Sequence, residues 1–110
     1  MKLVSIESLE KSELLVAGLT QFLGDSQSMK FWTSGKRYGN TWIWDSTGYP
    51  ARYTNWGPGQ PSKKGRKKTC IEAVLNITAE TLKWNNMDCS VANYFICESP
   101  VHSQVHYVEP

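Results

Sequence analysis

The chain has 110 residues, enough for one small domain with a single core and little to spare. Apolar residues at 40% and aromatics at 12% exclude a disordered chain, and no apolar run approaches the ~20 residues of a membrane-spanning helix. The net charge of +2 excludes no partner by itself, but five of the twelve basic residues, Lys63, Lys64, Arg66, Lys67 and Lys68, fall in one short run.

Leu3-Val4-Ser5-Ile6 alternates as a short strand. Glu7 and Glu10 follow directly, so the first residues do not read as a signal peptide. Ser8 is placed to cap a helix, with Glu10 and Glu13 where the helix dipole favours negative charge. Leu15, Leu19 and Phe22, with Leu14 and Leu23 beside them, make one apolar helical face, which reads as core packing. Gly24-Asp25 ends the helix. Phe31-Trp32-Thr33-Ser34-Gly35 and Thr41-Trp42-Ile43-Trp44-Asp45 read as strands, the second closed by a turn at Ser46-Thr47-Gly48-Tyr49-Pro50. Gly57-Pro58-Gly59-Gln60-Pro61 forbids a regular element and predicts a long surface loop. Cys70–Leu75 and Leu82–Trp84 are strands on either side of Asn76-Ile77-Thr78, a glycosylation acceptor sequence with Asn76 as its acceptor. Tyr94–Cys97 is the closing strand, and residues 99–110 read as a flexible tail without periodicity.

Three cysteines leave two readings open. In a reducing compartment all three are free thiols; in a secreted domain one is left over or pairs outside the chain. The acceptor sequence at Asn76 points toward the secretory route. Metal and catalytic readings find little support. Cys70, Cys89, Cys97 and His102 contain no Cys-x-x-Cys pair, and His102 and His106 lie in a valine- and proline-containing tail that makes a poor helix. No base, nucleophile or oxyanion arrangement can be assembled, so the chain does not read as an enzyme.

Tyr53-Thr54-Asn55-Trp56, the loop ending Gln60-Pro61-Ser62, then Cys70, Leu82-Lys83-Trp84-Asn85-Asn86-Met87-Asp88-Cys89 and Tyr94-Phe95-Ile96-Cys97-Glu98 together resemble the second half of a C-type lectin domain. Leu3 to Leu23 is similar to the family's strand leading into the second of two helices, and Phe31–Gly35 to its central tryptophan strand in an arthropod-type spelling. The resemblance covers residues 3–98. It implies an α+β fold over residues 1–98, with antiparallel strands, one recognisable helix and a long disulfide-framed loop region. It also implies a disulfide between Cys70 and Cys89, worth about 3 kcal/mol by loop closure. A complete domain of the family opens with a cysteine, a strand and a first helix upstream of the point where Met1 stands. The expectation is therefore a truncated domain whose Cys97 lacks its partner.

The family's calcium and sugar ligands map onto Gln60 and Ser62 of the Gln-Pro-Ser triplet, onto Lys68, and onto Asn85 and Asn86. Hard cations need carboxylates to offset lost hydration, and these five positions hold none. Lys68 and its basic neighbours add repulsion, so no cofactor is expected. The basic run itself admits three readings: a solvated surface, a nuclear-localisation signal, or a loop for anionic polysaccharide or nucleic acid. No aromatic residue interleaves it, which argues against nucleic acid. The function implied is extracellular recognition of carbohydrate, including anionic or microbial surface glycans, in innate recognition. The alternative is a protein-binding module that kept the scaffold and lost sugar binding.

Overall fold

The computed structural model describes residues 2–24, 28–64 and 66–99, and the backbone of Val105–Val108. The elements run β1 (Lys2–Leu3), α1 (Leu9–Leu23), β2 (Ser28–Tyr38), β3 (Thr41–Trp44), β4 (Tyr49–Pro50), β5 (Cys70–Asn76), β6 (Thr81–Met87), β7 (Tyr94–Glu98) and β8 (Val105–Val108). β2 is the hub. It pairs antiparallel with β3 and β5, and parallel with β7 through Phe31–Tyr94 and Trp32–Phe95.

The register of β2 against β5 breaks between Trp32 and Lys36, and Gly35 sits in that break. The Thr33 hydroxyl fixes it, donating to Ile71 O (2.9 Å) while accepting from the Gly35 N–H (3.0 Å). A Cβ at Gly35 would overlap the buried Ile71 side chain, so only glycine lets the two strands approach here.

The expected helix forms where predicted. Ser8 caps it, its side chain accepting from the Lys11 N–H at 3.1 Å, and Gly24 closes it with φ 65°. Its apolar face is narrower than predicted. Leu15 and Leu19 are buried, but Leu14 is 70% and Phe22 65% exposed, because the helix leans on the sheet along one side only. The N-terminal strand is also shorter than the Leu3–Ile6 segment predicted. Lys2–Leu3 pairs with β7, after which Val4 donates to Ile96 O and accepts from Ser34 N–H, both at 2.8 Å, bridging two strands. The tail expected to be flexible contributes β8, antiparallel to β7 from Phe95–Val108 to Glu98–Val105. Four residues suffice because β7 offers an open edge to pair with.

The core gathers Val4, Ile6, Phe31, Ile71, Ala73, Leu75, Leu82 and Ile96 with two buried tryptophans, Trp44 and Trp84. Their rings meet edge to face at 5.2 Å, and Trp56 and Tyr53 pack on Trp84 at 5.5 and 5.9 Å. This aromatic cluster anchors the long loop. Asn55 O accepts from Trp84 N–H (2.9 Å), Asn55 Nδ2 donates to Leu82 O (2.7 Å), and Gly57 N–H donates to Trp84 O (2.9 Å). The Tyr53–Gly57 segment is thereby laid along β6, and the chain beyond it emerges at the end of the sheet.

Candidate functional site: the long loop and its basic arm

Strand β6 decides what the loop rests on. Its side chains alternate, so Leu82, Trp84 and Asn86 face the core while Lys83 and Asn85 face the other way. Asn86 is thus a polar residue in a core row, 2% exposed. Burial of an unpaired amide is costly, and the loop satisfies it. Asn86 Oδ1 accepts from Ser62 N–H at 2.6 Å, and Nδ2 donates to Ser62 O at 2.8 Å and Lys68 O at 3.1 Å.

Asn85 takes the opposite face. It lies across from Glu72 of β5 and donates to Glu72 Oε1 at 3.4 Å, while Asn93 donates to Oε2 at 2.8 Å. Glu72 is 2% exposed because the 88–93 segment covers it. That segment is fastened by the Cys70–Cys89 disulfide, whose Cα atoms are 5.3 Å apart, and by Trp32 Nε1 donating to Val91 O (3.0 Å). Asp88 accepts from the Ser90 N–H and hydroxyl at 3.0 and 2.9 Å; these bonds, with Lys67 nearby, hold its carboxyl below the usual aspartate range.

The five candidate ligand positions therefore split. Gln60 and Ser62 stand at the start of the arm, joined by a cis Gln60–Pro61 peptide, with Gln60 Oε1 accepting from Ser62 N–H at 3.2 Å. Asn86 is removed from the ligand-facing set, its amide being committed to the loop backbone. Asn85 is held to Glu72, and Lys68 is half-buried. These residues do not fit a calcium ion. The set has no carboxylate, the two Asn86 amide N–H groups already fill the gap between the Ser62 and Lys68 carbonyls, and one of its members, Lys68, is itself a cation.

The basic run forms an arm between Ser62 and Thr69. Lys63, Lys64, Arg66 and Lys67 are exposed. Among the described residues, the ion pairs are Lys11–Glu98 and Lys36–Asp45, neither of them on the arm. Arg37, which sequence reasoning passed over, joins the arm's far foot by donating its N–H to Thr69 O at 2.8 Å. Its strand register was the missing information, since Lys36 pairs with Cys70 only in the folded sheet. A groove of about 630 Å³ between α1 and β6, lined in part by Val16, Thr20, Asn55 and Leu82, holds none of the predicted site residues. Asn76 is exposed at the β5–β6 hairpin, its Oδ1 accepting from Ala79 N–H at 3.0 Å. Cys97 is free and half-buried in β7.

Residues 1–99 match the family model described as the lectin C-type domain. The chain belongs to the C-type lectin domain family. Curated relatives of this C-type lectin domain include lectin subunit alpha of Sarcophaga peregrina, 26% identical over 96% of this chain and 38% of that protein. Perlucin of Haliotis laevigata is 28% identical over 86% of this chain and 59% of its own length. The domain thus spans less than two thirds of these relatives. Among solved structures, human lithostathine superposes with a TM-score of 0.67 at 22% identity, covering 84% of this chain and 68% of that one. C-type lectin CEL-I from Cucumaria echinata gives 0.62 at 23%, covering 81% and 61%. These likenesses establish the α+β lectin-type fold. Among the described residues no helix is long and apolar enough to cross a membrane.

Proposed function

We propose that this C-type lectin domain is an extracellular recognition module for anionic carbohydrate, engaged through the basic arm and without calcium at the Gln60–Asn86 positions. The observation that carries the reading is the pairing of Asn86 with the arm. The side chain that would complete a cation's shell instead bonds the arm's own backbone, and the arm presents exposed Lys63, Lys64, Arg66 and Lys67. Converging cations on a polyanion release its counterions, which gives affinity without a metal. Family membership supports carbohydrate as the ligand class, and the Cys70–Cys89 bridge and exposed Asn76 agree with a secreted glycoprotein.

The test is binding to heparin and to lipopolysaccharide, with and without chelator, from low to physiological salt. Expected is chelator-insensitive binding that weakens steeply with salt and is lost when Lys63, Lys64, Arg66, Lys67 and Lys68 are changed to Ser. Chelator-sensitive binding to neutral sugars would replace this reading with calcium-dependent lectin activity. Silence toward all glycans would favour a protein partner on the same scaffold.

A further inference from the structure

One side chain ties down both ends of the basic arm. The Asn86 carboxamide receives the Ser62 N–H and gives its two N–H groups to Ser62 O and Lys68 O. All of this happens at a position 2% exposed, at the end of the Leu82–Trp84 row, so the clamp is seated on the rigid core. The far foot has further holds, in the Arg37 N–H bonded to Thr69 O and in Cys70. The near foot has fewer: apart from Asn86, Ser62 N–H bonds only Gln60 Oε1, and Ser62 Oγ accepts from Lys64 N–H at 3.2 Å among the described residues.

We propose that Asn86 is the positioning residue of the basic arm: it fixes the separation of the arm's feet so that the exposed cations meet a polyanion as a set. The inference rests on the arm's proposed role as the anionic-glycan site. Its physical basis is entropic. A loose arm must lose backbone and side-chain freedom each time it binds, whereas an arm pinned at its feet has met part of that cost on folding. Asn86 itself touches no ligand. Asparagine is specified at this place because two of its three partners are carbonyl oxygens. An aspartate keeps the shape but loses both N–H donors and sets a carboxylate against Ser62 O and Lys68 O.

The experiment compares the wild type with Asn86→Asp and Asn86→Ala, and uses Asn93→Ala as a control whose lost amide serves Glu72 instead of the arm. Three quantities are read: trypsin cleavage within 63–68, hydrogen exchange at the Ser62 amide, and heparin affinity against salt. Both Asn86 variants are expected to keep the folded circular-dichroism spectrum and to be cut in the arm on the order of tenfold faster. They should also lose protection at Ser62 and bind heparin with a flatter dependence of log K on log salt, because fewer cations engage together. The control should match the wild type in all three. Should both core variants unfold, Ser62→Pro removes the same N–H from the arm's side. Faster arm cleavage in that variant than in Ser62→Ala, which loses only the Oγ bond to Lys64 N–H, supports the clamp, and cleavage equal to that of Ser62→Ala overturns it. Arm cleavage and Ser62 exchange unchanged in a folded Asn86 variant would likewise overturn the clamp. An unchanged salt slope in a variant whose arm is demonstrably loosened would overturn its positioning role. If the wild type binds no heparin, the functional reading fails, while cleavage and exchange still decide the clamp.

Discussion

Asn86 and Lys68 change what a calcium titration should show. A site of ~10⁻⁴ M affinity would add ~1.4 kcal/mol of stability at millimolar calcium, by binding to the native state alone. With amide donors occupying the gap and a lysine at the rim, calcium is expected to leave the melting temperature unchanged. A rise abolished by Asn85→Ala would overturn that expectation. Asp88 provides an independent residue-scale check. Its carboxyl is held below the usual range by the Ser90 N–H, then by the Ser90 hydroxyl, with Lys67 adding a smaller part. Because the folded-state pKa is the depressed one, the associated stability is present above the unfolded pKa and is lost as pH falls through the folded value. An NMR titration should place Asp88 below an ordinary aspartate, and Ser90→Ala, which removes only the hydroxyl, should move it partway back. An ordinary value in the wild type would show that the Ser90 turn does not form.

At the scale of elements, the β2–β5 contact is the most sensitive point. Gly35→Ala forces the buried Ile71 side chain to move and is expected to cost about 1–3 kcal/mol, read as a lowered denaturation midpoint with unchanged m-value. The cap is more forgiving: Ser8→Ala should cost about 1 kcal/mol, the loss of one bond to an orphan N–H. The same elements show what a sequence makes visible. Helix α1, its Ser8 cap and its Gly24 stop are readable because each has a local cause in capping and backbone chemistry. The strand pairs of the Trp84 region and the Cys70–Cys89 bridge follow from resemblance. What stays hidden depends on which side of an element meets a neighbour. Leu14 and Phe22 share the helix's apolar arc but stay largely exposed. Asn86 maps onto a ligand position by resemblance, although its alternation with Leu82 and Trp84 already marks it as facing inward. Glu72 gives no signal of burial, since the 88–93 segment that covers it arrives from a distant part of the chain.

Taken as a whole molecule, the domain keeps its long loop beyond the Tyr53–Gly57 segment laid along β6, while strand β8 joins at the β7 edge. β7 is flanked by β1 and β2 on its inner side, and β8 runs along Phe95–Glu98. In that register Cys97 stands opposite His106 and Leu3, which places its backbone between two strands instead of at a bare sheet edge. Removing residues 99–110 would therefore do more than shorten the protein. A row of N–H and C=O groups on β7 would lose its partners, and such margins template pairing between chains. The shortened protein is expected to scatter light at concentrations where the full chain does not, and its Cys97 to react faster with a thiol reagent. Equal scattering and equal reactivity would mean that β8 shields nothing. For anyone attaching this lectin domain to a surface, the practical consequence is that Val105–Val108 belongs to the folded sheet: a linker grafted before Val105 discards the strand that pairs the β7 edge, whereas one added after Val108 leaves it in place.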